Sequence, residues 1–239
     1  MSPRDVQLKP QVYLDDRPAE HFDYMYEYSS AHLPDWIYDL ARLLFTPLCI
    51  VLFRARALDV ARVPSRGGVI IAPNHFSAMD HFFCGIYLRR RVRFMAKSQL
   101  FKGILGWILL HGGAFPVRRG HRDERSITTA LAILDGGGVI VIYPEGGRSR
   151  SHAVSQHARP GVGRLALESG VPVIPVAIHG SAKARNWKRL QFPRVRIRYG
   201  EPIRFQREAS CTRERAHAAA EEVLASVREL YAGLEKPER

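Results

Sequence analysis

The sequence predicts an α/β fold, a mixed, largely parallel sheet flanked by helices. Three observations carry this expectation. Apolar runs rich in Val and Ile recur at 68–72, 92–96, 138–143, 171–178 and 194–199, and read as strands. Helical patterns lie between them, at about 78–89, 123–135 and 160–169. Strands that alternate with helices in this way imply an α/β sheet.

Each element has its own justification. Residues 1–21 are polar, carry Pro3, Pro10 and Pro18, and are expected to be loosely ordered. From 22 to 58 the chain reads as helical. Phe22, Tyr24, Met25, Tyr26 and Tyr28 are followed, after Pro34, by Trp36, Ile37, Tyr38, Leu40, Leu43, Leu44 and Phe45. Pro47 predicts a break there, since proline removes a helical donor and clashes with the preceding turn. The apolar run Leu48–Phe53 ends at Arg54 and Arg56. Aromatic residues beside such a run suit an interfacial helix; they suit a helix packed on the main domain equally well.

The α/β domain is expected over 59–239. Gly136-Gly137-Gly138 stops the helix at 123–135, and Gly170 stops the next. Residues 171–176 read VPVIPV, and prolines are awkward in a sheet interior, so this strand is expected at an edge or in a pocket wall. From Thr212, a plausible N-cap, to Leu234 the residues Ala216, Ala219, Val223, Leu224, Val227, Leu230 and Tyr231 form a helical stripe.

Composition narrows the function. The 239 residues are enough for one sizeable core. Lys and Arg total 36 against 23 Asp and Glu, a net charge of +13, which favours an anionic partner. Cys49, Cys84 and Cys211 are far apart, with no CxxC pair for a zinc ribbon or a dithiol site, and fit a reducing interior. The charged N-terminus does not read as a secretory signal, and no stretch reaches about 18 uncharged apolar residues.

Residues 73–81 read PNHFSAMDH, directly behind the run at 68–72. Pro73 biases Ala72 towards extended backbone, so Asn74 and His75 fall in the loop after the strand. Ser77 can cap a helix that contains Asp80. Five residues on one regular helix point about 140° apart. His75 and Asp80 therefore pair only if His75 sits in the loop and Asp80 in the first helical turn. The carboxylate would then hold one ring nitrogen and leave the other as a base. A turn followed by a helix start explains the same residues. A metal set of His75, Asp80 and His81 is the poorer alternative, because the i, i+4 histidine spacing is absent.

Downstream segments favour the catalytic reading. GAFPVRR at 113–119 ends in two arginines suited to a phosphate or carboxylate. VIYPEGGRS at 141–149 runs from a strand into Glu145, two glycines and Arg148. The glycines admit close backbone approach to a ligand, and the arginine adds a charged donor.

NHFSAMD, GAFPVRR, YPEGGRS and VPVIPV, in this order and spacing, resemble the four sequence blocks of the glycerolipid acyltransferases, the lysophosphatidic acid acyltransferase family. FMAKSQLF at 94–101 resembles the segment between the first two. The match spans about 65–180. Gly147 departs from the family's usual threonine, and SHAVSQHARPG from its usual Phe-Lys-x-Gly pattern.

The resemblance implies that His75 deprotonates the acceptor hydroxyl and Asp80 orients it, with no acyl-enzyme and no cofactor or metal. It places Asn74, Phe115, Arg118, Arg119, Glu145, Gly146 and Arg148 at the substrate site, with Arg119 and nearby Arg118 on the acceptor phosphate. Val171–Val176 would help wall the acyl chain. The implied acceptor is 1-acylglycerol-3-phosphate, or alternatively glycerol-3-phosphate or another lysolipid. The implied donor is acyl-CoA or acyl-carrier protein. An anionic membrane surface, with the 22–58 segment seated peripherally or monotopically on its cytoplasmic face, then accounts for the basic charge. A nucleic-acid-binding module is the rival explanation of that charge, but no RNP pattern, zinc-finger spacing or helix-turn-helix signal supports it.

Overall fold

A computed structural model describes residues 15–120, 123–149, 153–184 and 192–235. Seven strands form one sheet: β1 (Arg56–Leu58), β2 (Val69–Pro73), β3 (Arg93–Lys97), β4 (Ala114–Val117), β5 (Val139–Val141), β6 (Val173–His179) and β7 (Arg196–Tyr199). Their order is β1-β7-β6-β2-β5-β3-β4. Strands β2 to β6 run parallel, and β7 pairs antiparallel with β6 and parallel with β1. The sheet is thus mixed and largely parallel.

Burial on both faces explains the unbroken apolar runs. All five residues of β2 are buried. Its side chains alternate between two cores, as the two-residue period of a strand requires. Ile70 and Ala72 join Phe76, Leu134, Leu165 and Val223 on the face covered by α5 (Glu124–Asp135), α6 (Gly161–Ser169) and α7 (Arg213–Glu235). Val69 and Ile71 join Phe53, Phe83, Ile174 and Tyr199 on the face carrying α2 (Trp36–Val51) and α3 (Asp80–Phe83). Helices α6 and α7 cross closely: a Cβ at Gly163 would lie 1.9 Å from the Ala216 carbonyl oxygen. Thr212 Oγ1 accepts from the Arg215 N–H at 3.2 Å, capping α7.

The structure corrects several expectations. The break in the N-terminal helical segment falls before Pro34, not at Pro47. Helix α1 (Asp23–Ala31) ends first. Asp35 Oδ1 then accepts from the Ile37 N–H at 3.0 Å and caps α2, which continues through Pro47. A capped start with a favourable apolar stripe outweighs the one hydrogen bond that Pro47 removes. The helix expected at 78–89 is only α3, because Cys84 and Gly85 pass into turns. Strands β1 and β4 and the helix α4 (Gly103–His111) were not expected.

Strand β6 is central, not an edge. Its odd-numbered residues direct their backbone groups at β7. Val173 exchanges bonds with Ile203, and the Pro175 carbonyl accepts from the Gly200 N–H at 2.8 Å. The donor that Pro175 lacks therefore falls where β7 has given way to Gly200-Glu201-Pro202, and the neighbouring β2 ladder keeps its bonds.

The chain is fastened from Asp15 onward. Arg17 pairs with Asp15 at 2.7 Å and donates to the carbonyls of Phe101 and Ser98, each at 2.6 Å. Residues 1–14 lie outside the described residues. Helices α2 and α4 expose large apolar side chains, up to 70% of Val51 and 79% of Ile104. Among the described residues no helix is long and apolar enough to cross a membrane.

Candidate active site

The loops that follow β2 and β5 meet at the carboxyl end of these neighbouring parallel strands. The connection from β2 leads past β5 to β3, and that from β5 leads back past β2 to β6. The two connections leave in opposite directions along the sheet, and strand ends of this kind form the crevice where ligands bind in open α/β sheets.

His75 lies in the β2 loop and Asp80 opens α3. Asp80 Oδ2 lies 3.0 Å from His75 Nδ1 and also accepts from the Phe76 and Ser77 N–H groups, each at 2.7 Å. Ser77 Oγ accepts from the Met79 N–H at 3.2 Å at the helix start. Asp80 is wholly buried, whereas His75 retains 8% exposure. The carboxylate therefore sets the Nδ1–H tautomer, and the Nε2 edge carries the free lone pair. Burial holds the His75 pKa below the usual imidazole value, against the opposing pull of Asp80; the Arg148 and Arg119 charges lower it further.

Glu145 supports the same loop from β5. Its Oε1 accepts from the His75 N–H at 2.7 Å and its Oε2 from the Ser155 N–H at 3.1 Å. It is fully buried, and this pushes its pKa up to about 7 despite the two backbone bonds. The Ser149 N–H donates to the His75 carbonyl at 2.9 Å, so the two loops are tied twice. Gly146 adopts φ +67°, and a Cβ there would meet Arg159 Cγ at 2.5 Å. Only glycine fits both demands.

The other expected site residues separate into two groups. Asn74 is buried, with its amide bonded to both backbone groups of Ile178, so it clamps the β2 end to β6. Phe115 is wholly buried in the core beside Phe76 and Ala130, behind the crevice. Arg118 faces the N-terminal strap: its guanidinium donates to the Arg17 carbonyl at 3.0 Å and lies 5.8 Å from the centre of the Phe22 ring. Arg119 and Arg148 lie near enough to His75 for their charges to lower its pKa. Among the described residues no carboxylate pairs with Arg148.

Two aromatic partners of His75 were not anticipated. The Tyr143 ring stacks on the His75 imidazole, with centroids 3.9 Å apart and planes 21° apart. Its hydroxyl lies 2.8 Å from His81 Nδ1. Burial, with a smaller contribution from His75, brings the His81 pKa down to about 3, so this ring is neutral and shares a hydrogen bond with the tyrosine hydroxyl. That hydroxyl was the available signal, but its partner lies 62 residues away. Among the described residues no three His, Cys, Asp or Glu side chains converge as metal ligands.

The arrangement can do general-base chemistry: an oriented imidazole, a free Nε2 and a nearby positive field for an anionic reactant. The acyltransferase family model matches residues 57–179. The chain is 27% identical over 143 residues to the 1-acyl-sn-glycerol-3-phosphate acyltransferase of Bacillus subtilis (strain 168), covering 59% of this chain and 69% of that one. It is 26% identical over 119 residues to the chloroplastic 1-acyl-sn-glycerol-3-phosphate acyltransferase BAT2 of Brassica napus; the match covers 48% of this chain and 33% of that longer relative. The crystal structure of the 1-acyl-sn-glycerophosphate (LPA) acyltransferase PlsC from Thermotoga maritima shares the fold. The TM-score is 0.61, over 92% of this chain and 90% of that one, at 21% identity.

Proposed function

The chain belongs to the acyltransferase family, and from that premise we propose that it acylates the free hydroxyl of 1-acylglycerol-3-phosphate, giving phosphatidic acid. The observation that carries this reading is the His75–Asp80 pair, 3.0 Å apart, with Nε2 turned away from the carboxylate. The activity of the Bacillus subtilis and Brassica napus relatives supports the choice of acceptor.

The proposed steps are these. His75 Nε2 takes the proton of the acceptor hydroxyl as its oxygen attacks the thioester carbonyl of acyl-CoA or an acyl-carrier protein. Asp80 stabilises the imidazolium that forms. The tetrahedral intermediate collapses, the C–S bond breaks, and the imidazolium returns its proton to the leaving thiolate. Arg119 and Arg148 hold the acceptor phosphate by charge-assisted hydrogen bonds. Glu145 and Gly146 hold the β5 loop in the shape this requires. Asn74, Phe115 and Arg118 act from behind, as a clamp, a backing side chain and a strap fastener.

The acceptor and product are anionic lipids, and the 22–58 segment seats the 59–239 domain on the cytoplasmic face of an anionic membrane. The exposed side chains of α2, Trp36, Leu43, Leu44 and Val51 among them, support this seat. Incubating the purified chain with a panel of acceptors and labelled acyl-CoA or acyl-carrier protein tests the proposal. Preferred acylation of 1-acylglycerol-3-phosphate is expected. Preferred acylation of glycerol-3-phosphate or another lysolipid would move the acceptor assignment, and no transfer to any acceptor would refute the reading.

A further inference from the structure

We propose that the groove between α1 and α4 is a docking site for an anionic membrane lipid. The groove encloses about 460 Å³, within the roughly 300–1,000 Å³ typical of small-ligand sites. Its walls are Tyr24, Met25, Phe101, Trp107 and Leu110. Gly106 also lines it; a Cβ there would meet the Phe101 carbonyl carbon at 2.7 Å, so α4 packs on the Phe101 backbone only with glycine at this position.

The cationic side chains that line this apolar trough are Arg17, which is paired with Asp15, and Lys102. Arg17, His21 and Lys102 line it, and no carboxylate does. Arg17 is occupied by Asp15 and the carbonyls of Ser98 and Phe101, and so braces the groove. Lys102 and His21 are exposed, and Lys102 carries its positive charge at the solvent side of the groove. An apolar trough with cations beside it matches one molecule that has both an acyl chain and an anionic headgroup.

The surroundings select a lipid held in a bilayer over a dissolved amphiphile. Ile104, Leu105 and Ile108 stand on α4 beside the groove with 79%, 50% and 42% of their surface exposed. A dissolved ligand would leave these side chains in water, whereas a bilayer covers them together with the groove. Trp107 is suited to the headgroup level, where indole rings concentrate. A lysine near an anionic leaflet strengthens binding about fivefold.

The groove is separate from the crevice: none of the residues that touch His75, Asp80 or Glu145 lines it. The inference therefore does not depend on acyl transfer, and vesicle binding tests it independently. Trp36→Phe with Trp187→Phe leaves Trp107 as the one tryptophan of the chain. Its emission is expected to shift to the blue with vesicles of phosphatidylcholine plus phosphatidylglycerol, and much less with phosphatidylcholine alone. Inorganic phosphate in solution is expected to leave it unchanged. Lys102→Glu should weaken binding to the anionic vesicles about tenfold, keep the circular dichroism spectrum, and leave neutral vesicles unaffected. Three results would overturn the proposal: an unmoved Trp107 while the protein sediments with anionic vesicles, equal affinity for both vesicle types, or a shift produced by phosphate alone.

Discussion

The crevice at the carboxyl ends of β2 and β5 and the outer surface of α2 and α4 are built on opposite rules. In the crevice the Asp80 and Glu145 carboxyl groups are buried and held by hydrogen bonds from neighbouring loops. Asp80 Oδ2 alone serves three donors, and Glu145 joins two loops. On α2 and α4 the side chains are apolar and left in the open, with Leu43 at 69% and Ile104 at 79% exposure. The contrast separates two tasks. Fixed chemistry requires atoms held to fractions of an ångström, and contact with a fluid surface requires area without fixed partners.

If this division is right, substitutions in the crevice should stop turnover, and those on the helices should change where the protein sits. The largest effect is expected from His75→Ala, which removes the base: kcat should fall by at least about 10²–10⁴-fold, with an unchanged melting temperature. Asp80→Ala should lower kcat comparably and also destabilise the fold. It orphans the Phe76 and Ser77 N–H groups, at about 1–3 kcal/mol for each unsatisfied group, which thermal unfolding would register.

Adjacent arginines offer a finer test. Arg119→Ala should raise the KM for a phosphorylated acceptor about tenfold or more, because it removes a charge-assisted contact. Arg118→Ala should leave that KM nearly unchanged and loosen the 15–22 strap, detectable as faster hydrogen exchange there. On the other surface, Leu43→Asp should weaken vesicle binding severalfold while sparing turnover of a short-chain, freely dissolved acceptor.

The smallest effect concerns pH. The Glu145 pKa is raised from its ordinary value of 4.5 to about 7 in the folded chain. Its contribution to stability is therefore fully present below pH 4.5 and is lost as pH rises to about 7. Thermal melts across this window should show the decline, and Glu145→Gln should flatten it. His75 shifts the other way, so the acid limb of kcat/KM should fall below about 6.5, the ordinary imidazole value.

Legibility in the sequence followed the same division. The central strands were readable because burial on both faces imposes Val and Ile runs. The placement of His75 in the loop and Asp80 at the helix start was readable because Pro73 ends the strand and five residues cannot share a helical face. Helix α4 was not, since GILGWILLH is apolar on every side and shows no period. Pro47 misled because its lost hydrogen bond was weighed without the Asp35 cap. The Tyr143–His81 contact and the divergence of Arg118 from Arg119 depend on which distant segments pack together, and neighbouring letters do not carry that information.

The central claim is that the imidazole of His75, oriented by Asp80, drives acyl transfer. The most direct measurement is formation of phosphatidic acid from 1-acylglycerol-3-phosphate and a labelled acyl thioester, comparing the wild-type chain with His75→Ala. Product from the wild type and essentially none from a folded His75→Ala variant is the predicted result. Transfer by His75→Ala at the wild-type rate would contradict the account.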